Sequence, residues 1–206
     1  MKGSMPIGML MFAGMFLAVV LRRLRAKKAG RDFPDLAAKL GLELRPRSHG
    51  KGIGTVTGNY EGYRIYVDPE DQRRITLQFE TSPAIDLRSY ETGGAAPRGM
   101  RSYFSGNKRF DAFFRTRFAS DELIGRLRAV PRLDELIEPF RGSYYRELKQ
   151  VNVTHRGISC VLDFGNPPHL PAAAVEQLLP AMAKLASVIE PHASDPEPPA
   201  PPPDSP

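Results

Sequence analysis

Thr55-Val56-Thr57-Gly58-Asn59-Tyr60-Glu61-Gly62-Tyr63-Arg64-Ile65-Tyr66-Val67-Asp68 reads as two six-residue strands joined by Glu61-Gly62. A two-residue turn ending in glycine suits a hairpin, because such turns put the chain at positive φ, which glycine tolerates. Pairing Tyr60 with Tyr63 sets Gly58 against Ile65 and Val56 against Val67. Every apolar side chain then shares one face, while Thr55, Thr57, Asn59, Arg64 and Tyr66 share the other. A slip of one residue would turn the whole apolar set to solvent, which pins the register. Arg74–Glu80 continues the pattern with Ile75, Leu77 and Phe79 as a third strand.

Lys149–His155 and Ile158–Phe164 flank Arg156-Gly157 and form the second hairpin. By analogy with the first, Val153 should pair with Cys160 and Val151 with Leu162, with His155 on the apolar face. The two hairpins align without a gap at an offset of 95, Gly62 on Gly157 and Asp68 on Asp163, so a divergent duplication and a chance likeness both stay open. Helical stretches surround the strands. Pro34–Leu40 ends at Gly41, and Ser120 caps a helix opening with Asp121-Glu122. Pro131 opens a turn carrying Leu133, Leu136 and Ile137. Pro171–Ile189 carries an apolar stripe of Val175, Leu178, Leu179, Met182, Leu185 and Ile189. Ala112–Ala119 reads as a strand with Phe114, Thr116 and Phe118 on one face. Ser82–Asn107 reads as a long loop, with a short strand near Arg101–Phe104. The expected class is α+β, a mostly antiparallel sheet of two hairpins plus a third strand, packed by helices on one side.

The chain has 206 residues, enough for one domain of ordinary size. Its net charge of +6 is local. Arg22, Arg23, Arg25, Lys27, Lys28 and Arg31 stand together without an acid, and from Phe33 onward 22 basic residues balance 22 acidic ones. That balance disfavours a general nucleic-acid surface. Ahead of the basic run, Gly3–Leu21 carries no charge over 19 residues, which as a helix would span about 28 Å. A cleaved signal peptide, a core helix and a signal anchor compete for this segment. Basic residues stand where a cleavage site would fall, and the apolar run lacks a polar face, so a single-pass transmembrane helix fits best. The positive-inside rule then puts the N-terminus outside and the domain in the cytoplasm, beneath the cell membrane, with the six basic residues against anionic headgroups. The expected divisions are an anchor and basic segment at 1–31, a cytoplasmic α+β domain at 32–190, and a disordered tail at 191–206, where eight of sixteen residues are proline.

Chemical motifs are sparse. Gly50-Lys51-Gly52-Ile53-Gly54-Thr55 leads into a strand and lacks the Lys-Ser or Lys-Thr of a phosphate loop. His49, His155, His169 and His192 show no metal-ligand spacing, and the single cysteine, Cys160, excludes an intrachain disulfide. His155 with Cys160 admits a nucleophile reading, against which stands a small buried thiol. No cofactor is expected. Between Arg98 and Arg117, the cations Arg98, Arg101, Lys108, Arg109, Arg115 and Arg117 face one acid, Asp111, among Tyr103, Phe104, Phe110, Phe113 and Phe114. These six cations are the candidate surface for an anionic partner, with lipid headgroups ahead of nucleic acid.

Ser105-Gly106-Asn107-Lys108-Arg109-Phe110-Asp111 resembles a T-G-D-x-x-F-D-like motif of a loose group of uncharacterised bacterial proteins, many membrane-anchored. The resemblance runs from about Gly106 to Ile189, and Asn107 stands where the motif has Asp. It implies a bacterial origin and the α+β arrangement, and brings no catalytic residue. The expected function is therefore a membrane-anchored, non-catalytic binding module with a protein partner. The alternatives are an enzyme with a site dispersed in sequence, or an anionic-lipid or ligand-binding module.

Overall fold

Alternating side chains in Thr55–Tyr60 and Tyr63–Asp68 need a covered face, and the structure supplies it with helices packed on one side of an eight-stranded antiparallel sheet. The computed structural model describes residues 32–47, 52–89, 99–101, 104–165 and 169–190. The segment expected to be a membrane anchor with its six basic residues, Arg98, Tyr103 and the proline-rich tail lie outside the described residues.

The strands are β1 (Glu43–Arg45), β2 (Thr55–Tyr60), β3 (Tyr63–Asp68), β4 (Arg74–Gln78), β5 (Ile85–Ser89), β6 (Phe114–Ala119), β7 (Leu148–Thr154) and β8 (Gly157–Leu162), in spatial order β1-β2-β3-β4-β8-β7-β5-β6. The helices are α1 (residues 32–40), α2 (Lys108–Phe113), α3 (Asp121–Ala129) and α4 (Ala172–Ile189), with 3-10 turns at Leu133–Leu136 and Glu138–Arg141. The β2–β3 register is the one the alternation dictates, with Val56 against Val67 and Tyr60 against Tyr63. Glu61 and Gly62 both take positive φ in the turn.

One apolar row crosses the inner face through Gly58, Ile65, Leu77, Ile158, Val153 and Leu87. Against this face lies α4, with Val175, Leu178, Leu179, Met182, Leu185 and Ile189 buried. Ala172–Ile189 is long and apolar enough to cross a bilayer, yet its apolar stripe is spent on the sheet. Pro180 interrupts its hydrogen-bond ladder on the exposed side. The Ser120 hydroxyl accepts from the Leu123 N–H at the start of α3, as the capping pattern requires.

Four expectations are corrected. In the second hairpin the pairing slips by two residues and the two-residue turn moves back by one: Val153 pairs with Ile158 and Val151 with Cys160, and the turn is His155-Arg156. Neither turn residue has positive φ, so this turn differs in kind from Glu61-Gly62. A slip of two preserves which face is apolar, so the inner set is unchanged. Gly157 therefore begins β8 instead of occupying the turn position of Gly62, and the ungapped alignment of the hairpins does not match their geometry. Second, His155 sits exposed in the turn, away from the apolar face. Third, the expected loop Ser82–Asn107 contains β5, an interior strand between β7 and β6 with Ile85, Leu87 and Ser89 buried. Residue Arg101 makes only an isolated bridge to Thr116. Fourth, residues 112 and 113 belong to α2, and β6 starts at Phe114. A register shift at Asp86/Leu87 leaves Arg117 without an opposite residue and turns Phe118, 57% exposed, away from Phe114 and Thr116.

Candidate functional site

Because side chains alternate, the polar residues of the strands collect on the face that the helices leave open. One row of directly opposed residues crosses all eight strands: Glu43, Thr57, Tyr66, Thr76, Ser159, Asn152, Arg88 and Arg115. The side chains of Thr57, Tyr66, Thr76 and Ser159 have no hydrogen-bond partner among the described residues, so their capacity is unspent. At the β1 end the row enters a polar groove of about 430 Å³ walled by Arg45, Asn59, Arg64, Tyr66 and Gln78. At the other end Arg88 and Arg115 stand opposite each other on β5 and β6, next to Phe118, which opposes Asp86.

The sequence-level cations separate in space. Lys108 and Arg109 belong to α2 on the helical side, where Arg109 lies 3.5 Å from Asp134 and 3.9 Å from Glu138. Arg115 reaches back to donate to the Asp111 carbonyl at 2.9 Å. Arg101 and Arg117 are exposed at the β6 edge. The neighbouring aromatics are structural: Phe104, Phe110 and Phe114 are buried, and Phe113 packs edge-on against Phe114. They form no open stacking surface of the kind that holds unpaired bases.

Asp111 is buried and accepts from the Ser105 N–H at 3.0 Å, the Ser105 hydroxyl at 2.7 Å and the Gly106 N–H at 3.1 Å. It ties down the loop before α2. Asn107 caps α2 by accepting from the Arg109 and Phe110 N–H groups, while its amide donates to Asp134 at 3.2 Å. Each residue of the Ser105–Asp111 stretch with a defined contact is thus spent on local architecture. Buried Asp68 likewise accepts from the Glu70 and Asp71 N–H groups. Glu190 accepts from the Glu80 N–H at 3.0 Å and from both the N–H and hydroxyl of Thr81. This pins the β4–β5 linker to the end of α4, beside a second cavity of about 270 Å³ that also touches Arg126.

Burial raises the Cys160 thiol far above its ordinary range and keeps it protonated, while His155 is out of reach in the turn. His169 is held below the ordinary imidazole value by burial, against the opposing pull of Glu70 and Asp32. Asp163 is lowered first by the Gly165 N–H, then by Arg73, whose guanidinium lies 2.6 Å away, and Lys149. Among the described residues, no three His, Cys, Asp or Glu side chains converge as metal ligands would.

Arg88 and Phe118 were missing from the sequence reading of this face. Arg88 lay within an expected loop, and Phe118 within an expected buried stripe.

The fold so defined is an antiparallel α+β sheet with one helical and one open face. The sequence matches no protein-family model and no curated protein. In fold the chain is similar to the crystal structure of the mycobacterial trehalose monomycolate transport factor A, TtfA. The TM-score is 0.50 at 12% identity, over 78% of this chain and 96% of that one. At that identity the likeness concerns architecture.

Proposed function

We propose that this is a single-pass membrane protein, N-terminus outside, whose cytoplasmic α+β domain works by binding and not by catalysis. The observation that carries the reading is the division of labour among polar side chains. Buried carboxylates at 68, 111 and 190 are occupied with backbone N–H groups, while the hydroxyls of Thr57, Tyr66, Thr76 and Ser159 stand unspent in one row on the open sheet face. A broad face with dispersed hydrogen-bonding groups suits a macromolecular partner, whereas catalysis usually needs ionisable groups converging in a pocket. The uncharged Gly3–Leu21 segment and the six basic residues after it support the anchor and its orientation. The description of the neighbour in fold as a transport factor fits a binding role.

The test is affinity capture of the tagged full-length chain from its native membrane, beside a Thr76→Arg/Ser159→Glu variant, whose opposite charges face each other across β4 and β8. Both residues sit mid-row on the open face, so the variant should melt like the wild type and lose its co-purifying protein. Retention of the same protein by the variant refutes the assignment of this face.

A further inference from the structure

The β5–β6 corner of the open face carries two features that cost free energy in water. Arg88 and Arg115 are directly opposed across antiparallel strands, an arrangement that like charges disfavour. Only Arg88 has a carboxylate partner, Asp86 at 3.2 Å; the Arg115 guanidinium donates to the Asp111 backbone carbonyl, which leaves its charge unneutralised, and Arg117 has no carboxylate partner among the described residues. Beside them, Phe118 is the most exposed large apolar side chain among the described residues. One environment relieves both costs, a surface that is anionic at the headgroups and apolar just beneath. A nucleic-acid strand would ask for several exposed rings, and the other aromatics of the region among the described residues, Phe104, Phe110, Phe113 and Phe114, are buried or packed against the core.

We infer that Arg88, Arg115 and Arg117, with Phe118 as an apolar wedge, seat the domain on anionic phospholipid headgroups. The three guanidiniums against one carboxylate give the charge complementarity, and Phe118 gives the depth. This inference rests on the membrane-anchored reading and adds a second contact, made by the folded domain itself. It replaces the dispersed set of cations, since Lys108 and Arg109 belong to the helical side.

The chain contains no tryptophan, so Phe118→Trp installs a single fluorescent reporter at a solvent-facing position. The full-length variant is reconstituted into phosphatidylcholine vesicles, with or without a third of phosphatidylglycerol, each containing headgroup-proximal spin-labelled lipid. With phosphatidylglycerol the indole emission should shift to the blue and be quenched by the spin label, and in phosphatidylcholine alone it should stay open to aqueous iodide. Arg88→Gln and Arg115→Gln should each lower the seated-to-free ratio about fivefold, the usual worth of one arginine near an anionic surface. Lys184→Gln, on the helical side, should change nothing. An indole equally exposed in both lipids, or equally quenched after both arginines are removed, overturns the inference. So does shielding from iodide without spin-label quenching, which would mean that a second copy of the chain, and not lipid, covers the corner. Carbonate washing of the same vesicles tests the anchor separately. A chain that stays membrane-bound while its indole remains in water refutes this seat alone.

Discussion

Replacing Gly157 with alanine should cost about 3 kcal/mol, and the reason can be worked from one corner of the sheet. Gly157 opens β8 at φ +141°, opposite Gln78 at the end of β4. A Cβ there would lie 2.0 Å from the Leu77 carbonyl oxygen and 2.9 Å from the Gln78 Cα, both inside the 3.0 Å that real Cβ contacts respect. The obstruction is backbone, so relief requires β4 and β8 to part near the Phe79 N–H bond to the Arg156 carbonyl, now 3.1 Å. The unfavourable φ accounts for about 1–2 kcal/mol and each weakened ladder bond for about 1 kcal/mol. In the fragment 32–190 this should lower the melting temperature by roughly 6–12 °C, at about 2–4 °C per kcal/mol for a domain of this size. Gly125→Ala is the internal control. Nothing lies within 4 Å of its added Cβ in α3, so helix propensity alone should stabilise by about 1 kcal/mol. Equilibrium urea denaturation of both variants is the assay. A Gly157→Ala loss below about 1 kcal/mol would show that β4 and β8 do not meet as described.

Three further outcomes follow from the same structure. Leu179→Asp, fully buried in α4, should destabilise by at least about 3 kcal/mol through an unpaired buried charge, and a tolerated variant would detach α4 from the sheet. Cys160 should resist a thiol reagent at pH 8 in the folded protein and react at once in denaturant, and rapid native labelling would contradict its burial. His169 is depressed below its ordinary 6.5, so its contribution to stability is present above that value and lost as the pH falls through the folded value. His169→Gln should therefore flatten the decline in melting temperature below pH 6.5, and an unchanged decline would assign it to other groups.

How much was legible depended on whether a pattern was local. The first hairpin could be read to the residue, because its alternation and its Glu61-Gly62 turn agree. In the second, Arg156-Gly157 imitates that turn, but the positive φ of Gly157 serves its close approach to β4, a contact between residues 80 apart. β5 was hidden because Ile85 and Leu87 are its only large apolar residues and Pro83 precedes them, so composition read as loop. Its strand identity comes from neighbours on both sides. The exposure of Phe118 likewise depends on a register shift against β5 that no alternation rule contains. The opposed arginines became visible only once β5 was in place.

Membrane attachment and sidedness test the central claim most directly. In washed membranes from cells expressing the full-length chain, alkaline carbonate and high salt should each leave the protein in the pellet, because an apolar span and not the basic run dominates attachment. Protease added to intact spheroplasts should leave the domain uncut, and the same protease should digest it once the membrane is opened. Release by salt alone, or digestion from outside, would contradict the account.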